Sequence, residues 1–115
     1  MPAYPDLITA TLVQINGNSC NSPSGVLEFD PTSNPPQYTS VSGDFSFARA
    51  WREDLGGGQY TWNLQLYYRK TGVPCRGLWL FRLNEAADDP TGDYCIFTDP
   101  DVDCSAGQAS VVSDD

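Results

Sequence analysis

Alternating apolar and polar side chains run through residues 59–69 (QYTWNLQLYYR), and this pattern limits most strongly what the chain can fold into. One face of the segment collects the larger apolar side chains, which are Tyr60, Trp62, Leu64, Leu66 and Tyr68. A period of two places successive side chains on opposite faces of an extended strand, whereas a helix would scatter them around its axis. The segment therefore predicts a long strand with one dry face and one wet face, as is typical of antiparallel sheets.

Further short segments rich in β-branched and aromatic residues predict other strands, separated by turns that contain Gly, Pro, Asn and Asp. The predicted strands cover residues 7–15, 25–29, 44–52, 59–69, 78–83, 94–98 and 108–112. Loops are expected at 30–37, 84–93 and 99–107, with a glycine-rich hairpin turn at 55–58 and at most one helical turn at 85–87. Roughly seven strands with this turn spacing predict one all-β domain over residues 1–115, an antiparallel β-sandwich or small barrel.

The predicted strand 44–52 also alternates, with Phe45, Phe47, Arg49 and Trp51 on one face and small residues on the other. Large aromatic side chains are usually buried. We therefore expect Trp51, Trp62 and Trp79 to lie in the core.

The charge balance is strongly acidic, with 15 acidic and 6 basic residues and a formal net charge of −9. Such a field repels phosphate backbones and anionic lipid surfaces, so neither nucleic acid nor a membrane is an expected partner. No apolar run approaches the roughly 18 residues that a membrane-spanning helix needs.

Four cysteines, Cys20, Cys75, Cys95 and Cys104, allow three disulfide pairings, and the sequence does not choose among them. The chain has no C-x-x-C pair and no histidine, which argues against a zinc site. Disulfides are therefore expected, with free buried thiols as the alternative, and disulfides would indicate an extracellular or virion location. Residues 1–6 show no secretion signal, which leaves open a leader removed upstream or oxidation after release by lysis.

No pattern of residues indicates catalysis. Without histidine the usual general base near neutral pH is missing. The three glutamates, Glu28, Glu53 and Glu85, are far apart in sequence, and most aspartates fall in predicted turns, where they accept backbone hydrogen bonds. We therefore expect no enzymatic activity.

An acidic loop contains Asp99, Asp101 and Asp103 at alternate positions. This spacing resembles the opening of a calcium-binding EF-hand loop, but Cys104 stands at the turn glycine and Ser110 at the closing glutamate. Two interpretations stay open, a calcium site held by these three aspartates and a solvated loop of Asx turns. No other cofactor is expected.

The segment 78–83 (LWLFRL) is apolar on both faces. Trp79, Phe81 and Leu83 fall on one face, and Leu78 and Leu80 on the other. A two-layered domain of this size buries only one face, so the second must be covered by a loop, by barrel closure or by another subunit. Leu78 and Leu80 are therefore candidate interface residues.

The chain ends are also candidate contact elements. Pro2, Tyr4 and Pro5 stiffen residues 1–6 into an extended arm that can bind a neighbouring subunit, and a disordered end is the alternative. Residues 113–115 are expected to fray.

A candidate ligand surface lies on the wet face of segment 59–69. It consists of Asn63, Gln65, Tyr67 and Arg69, a mixture of amide, aromatic and guanidinium groups that suits sugar rings.

The order of elements is similar to that of small β-sandwich modules from phage and prophage-like structural proteins. The similarity lies in the opening LITATL (7–12), a cysteine after it, a short strand, the long strand 59–69 with its tryptophan, and the late pair Tyr94–Cys95. This resemblance implies a non-catalytic virion part, such as a capsid decoration protein or a tail or fibre component. Its partners would be other virion proteins or copies of itself, in an oligomeric assembly. The alternative from another class is a secreted carbohydrate-binding module.

Overall fold

A computed structural model describes residues 4–114 and shows an all-β chain, as the sequence predicts. Its nine strands in this range are β1 (Leu7–Ile15), β2 (Asn18–Ser19), β3 (Ser24–Asp30), β4 (Gln37–Gly43), β5 (Phe47–Gly56), β6 (Gln59–Tyr68), β7 (Gly77–Leu83), β8 (Gly92–Thr98) and β9 (Asp101–Ser113). Residues 4–114 contain no helix of the length and apolar character that crossing a membrane requires.

All strand pairings are antiparallel, and they close into a ring. β1 pairs with β3 on one side and with β9 on the other, and each remaining strand of the ring pairs with its neighbours in sequence. The short β2 lies outside the ring and pairs with the end of β1. The result is a small barrel of eight antiparallel strands in which β6 lies opposite β1.

Two junctions of the ring are short. β4 and β5 pair through three residues, Gln37–Thr39 with Arg49–Trp51, and β7 and β8 pair through three, Phe81–Leu83 with Tyr94–Ile96. The barrel is accordingly flattened, with extents of 43 × 29 × 18 Å. Both descriptions that the sequence left open therefore apply, because a flattened barrel with two short junctions resembles two packed sheets.

The interior is filled by aromatic and aliphatic side chains, the largest being Trp62, Tyr38, Tyr94 and Phe81. The predicted dry face of β6 is confirmed, since Trp62, Leu64, Leu66 and Tyr68 are buried. The faces of β5 are the reverse of what aromatic content suggests: Ala48 and Ala50 point inward, and Phe47 and Trp51 point outward.

A ring contact explains this reversal. Tyr38 on β4 and Trp62 on β6 have ring centroids 5.6 Å apart, and β5 runs between their two strands. Ala50 pairs with Tyr38 on one side and with Leu64 on the other. Close packing leaves room only for a small side chain beneath the two rings, so alanine occupies the inner positions of β5.

Three predictions of secondary structure are corrected by the structure. Residues 37–43 form β4, which the sequence does not predict because Tyr38 is its only buried residue. Residues 101–107 belong to the 13-residue β9 and not to a loop. Segment 85–87 contains no helical turn.

The four cysteines form two disulfides, Cys20–Cys75 and Cys95–Cys104. Cys20 lies between β2 and β3, and Cys75 lies between β6 and β7, so this bridge joins opposite sides of the ring at one end of the barrel. Cys95–Cys104 joins the neighbouring strands β8 and β9 where their register shifts. Two disulfides indicate an oxidising, extracellular or secreted environment.

Candidate functional site

The outward side of β5, β6 and β7 carries a continuous set of large side chains. Cross-strand pairs define its rows: Phe47 with Tyr67 and Tyr67 with Leu78, then Arg49 with Gln65 and Gln65 with Leu80. Trp51 begins the next row. We call this surface the outer face, and it consists of Phe47, Arg49, Trp51, Gln65, Tyr67, Leu78 and Leu80.

Two predictions meet on the outer face. Gln65 and Tyr67 come from the candidate ligand surface, and their cross-strand partners Leu80 and Leu78 come from the candidate interface. Leu78 is 56% exposed and Phe47 is 44% exposed, while the other members are half-buried. One patch therefore offers apolar area, aromatic rings and amide groups together.

Arginine side chains stack on the aromatic rings of this patch. The guanidinium of Arg49 lies 4.3 Å from the Trp51 ring centroid, and that of Arg69 lies 5.6 Å from the Tyr67 ring centroid. The buried Nε of Arg49 has no hydrogen-bond partner among the described residues. Stacking therefore holds Arg49 in place, and its positive charge stays on the outer face.

Asn63 is not available to a ligand, which corrects its place in the predicted ligand surface. It is only 2% exposed although it points outward. Its amide donates to Glu53 at 3.0 Å, and its carbonyl accepts from Nε of Arg82 at 2.9 Å. Arg82 also contacts Glu53 at 2.7 Å and lies 3.7 Å from the Phe97 ring centroid. These groups form a structural network beside the outer face, in which Asn63 is buried and the Glu53 side chain is 44% exposed.

The N-terminal segment makes contacts within its own chain. The ring of Tyr4 packs edge-on against Trp62, and its hydroxyl donates to Asp88 at 2.6 Å. Pro5 is half-buried, and its carbonyl accepts from the Tyr38 hydroxyl. Pro2 lies outside the described residues. The predicted contact of this arm with a neighbour stays a prediction, and we leave Tyr4 and Pro5 out of the surface proposed below.

Asp88 is the centre of a second polar cluster, which also contains Arg52. The guanidinium of Arg52 contacts the Asp88 carboxylate at 3.0 Å and lies 3.9 Å from the Tyr60 ring centroid. The hydrogen bond from Tyr4, reinforced by Arg52, holds the pKa of Asp88 below its usual range despite partial burial. The cluster binds loop 84–91 and the N-terminal segment to the barrel wall.

The three aspartates of the calcium hypothesis do not converge. Among the described residues, no group of three or more acidic or cysteine side chains is placed to hold a metal ion. Asp103 instead accepts hydrogen bonds from the hydroxyl and backbone of Ser105, which lower its pKa, and from the backbone of Ala106. Asp99 and Asp101 are exposed at the turn between β8 and β9. The geometry therefore gives the calcium interpretation no support.

Charge is strongly segregated along the chain and around the barrel. All six basic residues, from Arg49 to Arg82, lie within residues 45–84, which contain only two acidic residues, Glu53 and Asp54. The other thirteen acidic residues lie outside this segment. Three exposed cations, Arg69, Lys70 and Arg76, belong to the loop 69–76 between β6 and β7, which we call the basic loop.

No protein-family model, no curated protein and no solved structure matches this chain. What it does must therefore be argued from its own residues.

Sequence reasoning missed three members of the outer face, Phe47, Arg49 and Trp51. The signal was Arg49 itself, because an arginine in the middle of a supposedly dry face indicates that this face points to water. The charge segregation was also readable from the sequence.

Proposed function

We propose that the chain is a non-catalytic structural protein of a phage particle and that the outer face makes its contact with a neighbouring protein subunit. The observation that carries the proposal is the cluster of apolar and aromatic side chains around Leu78 and Phe47, whereas other exposed apolar side chains, such as Val41 and Val112, lie on other strands. Contiguous exposed apolar area on a small soluble domain is typical of protein contact sites. Aromatic residues and arginine are also the residue types enriched in such contacts.

The charge around the outer face favours a partner subunit that carries acidic groups. Arg49 lies within it, and the basic loop adjoins its Tyr67–Leu78 row, because β6 ends at Tyr68 and β7 begins at Gly77. A partner that presents carboxylates beside apolar groups would be complementary to this surface. The two disulfides add support, because a particle released from a cell meets oxidising conditions.

The first part of the test asks whether the chain belongs to particles. Phage particles are purified by density-gradient centrifugation from induced cultures that carry the gene, and the chain is sought in the particle fractions by mass spectrometry. We expect it to sediment with the particles. Its absence from all particle fractions would overturn the proposed function.

The second part compares two variants, Leu78→Lys and Val13→Lys. Both side chains are exposed, 56% and 41%, but Val13 lies on β1, which is opposite β6 in the ring. We expect Leu78→Lys to be lost from particles and Val13→Lys to be retained, with both chains folded by near-UV circular dichroism. Equal incorporation of the two variants would remove the outer face from the proposal.

A carbohydrate-binding role is the second candidate, and the outward position of Trp51 and Tyr67 beside Gln65 favours it. It ranks second because Arg49 stacks on the Trp51 ring at 4.3 Å and competes with a sugar for that aromatic surface. The test is a fluorescence titration of the wild type and Trp51→Phe against a panel of soluble polysaccharides. A saturable change that disappears in the variant would support sugar binding, and a flat wild-type response would exclude it.

A further inference from the structure

Most of the acidic residues in the described part of the chain lie at the end of the barrel opposite the basic loop. This end is formed where β3 passes to β4, β7 passes to β8, and β9 finishes. We call it the acidic end, and it carries Asp30, Asp54, Glu85, Asp88, Asp89, Asp93 and Asp114. Two arginines near this end are already paired, Arg52 with Asp88 and Arg82 with Glu53.

A shallow depression of about 380 Å³ opens at the acidic end. It is lined by the loop between β7 and β8, including Glu85 and Ala86, and by Thr91 and Asp93 at the start of β8. Glu85 and Asp93 are both exposed. Two carboxylates around a depression of this size are complementary to a guanidinium or ammonium group.

We propose that the subunit which the outer face and the basic loop fit is a second copy of this chain, presenting its acidic end. The inference rests on the proposed function and names its partner. The cations of the basic loop and the carboxylates of the acidic end are present on one molecule, although the loop's end of the barrel also carries Asp44, Asp99 and Asp101. The apolar side chains Leu78 and Phe47 lie beside the cations and become covered in the same contact.

The geometry of this contact determines the shape of the assembly. The two surfaces are different, so the contact is head-to-tail, and in a pair of copies one keeps its acidic end unused and the other keeps its basic loop unused. Head-to-tail contacts build closed rings when the rotation between copies closes and filaments when it does not. Because the attraction joins opposite charges at the surface, it must weaken as salt shortens the range of electrostatic forces.

The experiment uses the full, oxidised chain and measures its association by sedimentation velocity at low and high sodium chloride. The basic-loop variant is R69E/K70E/R76E, and the acidic-end variant is E85K/D93K/D114K. A control, E28K/S40K, adds positive charge at two exposed side chains on β3 and β4, outside the acidic end and away from the basic loop. Circular dichroism confirms that each variant is folded.

We expect the wild type and the control to associate at low salt and to dissociate at high salt. Each of the other two variants alone should associate at least about tenfold more weakly than the wild type. Mixed in equal amounts, these two variants should associate again. The basic loop of one variant is now acidic, and it complements the acidic end of the other variant, which is now basic.

Three results would overturn the inference: a wild-type chain that stays monomeric at low salt, variants that associate as well as the wild type, or a mixture that does not recover association. Wild-type association without recovery in the mixture would indicate a symmetric dimer through Leu78. A monomeric chain that binds dextran sulfate through its basic loop would assign the surface to an anionic polysaccharide. In each of these cases the presence of the chain in purified particles still decides the proposed function separately.

Discussion

The guanidinium of Arg49 lies 4.3 Å from the ring centroid of Trp51 on the outside of β5. One strand away, Trp62 points into the barrel and is completely buried. Neighbouring strands thus carry a half-exposed tryptophan and a buried one, and solution measurements can tell them apart.

Fluorescence quenching by acrylamide checks this arrangement. We expect Trp51→Phe to remove more of the quenchable emission than Trp62→Phe, because acrylamide reaches the outer face and not the close-packed interior. Trp79, which is half-buried against the core, supplies part of the remaining signal in both variants. Equal losses of quenchable emission would contradict the outward position of Trp51.

The network of Glu53, Asn63 and Arg82 predicts a large effect from a small substitution. Asn63→Ala removes the amide that donates a hydrogen bond to Glu53 and accepts one from Arg82. The substitution should lower the free energy of unfolding by about 2 kcal/mol or more. Gln65→Ala, on the same strand and face but half-exposed, should cost less than about 0.5 kcal/mol. Urea denaturation followed by circular dichroism gives both values, and similar losses would count against the network.

The two disulfides should stabilise the fold unequally. Cys20 and Cys75 are 55 residues apart, and Cys95 and Cys104 are 9 apart. In the chain-entropy description the longer loop contributes about 4 kcal/mol and the shorter about 2.5 kcal/mol. Denaturation of the variants C20S/C75S and C95S/C104S should therefore show the greater loss in the first. The reverse order would mean that native-state effects outweigh loop length.

The stability of the chain at acidic pH should depend on Asp88. Its pKa is lowered in the folded state, mainly by the hydrogen bond from Tyr4. The stabilisation is therefore complete above the unfolded value, about 3.9, and is lost as pH falls through the folded value. We expect the stability difference between wild type and Asp88→Asn to be constant from pH 7 to about pH 5 and to shrink below about pH 4.

Urea denaturation at a series of pH values measures this difference. Tyr4→Phe is the matched variant, because it removes the hydroxyl and should return the pKa of Asp88 toward its usual range. A difference between wild type and Asp88→Asn that stays constant down to pH 3 would show that Asp88 does not carry the effect.

The strand content and the face of β6 were predictable because their alternation is regular and both neighbours are strands. The faces of β5 were not, since its inner positions are set by the rings of Tyr38 and Trp62, which come from other strands. β9 was hidden for a different reason. Its first half is polar and faces water, and its ladder bends at a register shift near Cys104.

The candidate site was predictable in part. Leu78 and Leu80 were identified from a strand that is apolar on both faces, and Tyr67 from the wet side of its neighbour. The sequence could not show that these residues are cross-strand partners, because register depends on tertiary pairing. Nor could it show that Asn63 is covered by Glu53 and Arg82.

The bridge between Cys20 and Cys75 anchors the basic loop to the far wall of the barrel. Reduction of this bridge removes the anchor. Without the bridge, the basic loop has more conformational freedom, so ordering it against a neighbouring subunit costs more entropy. The Cys20–Cys75 bridge therefore favours the head-to-tail association that we propose, by lowering the entropy that is lost when the basic loop is ordered.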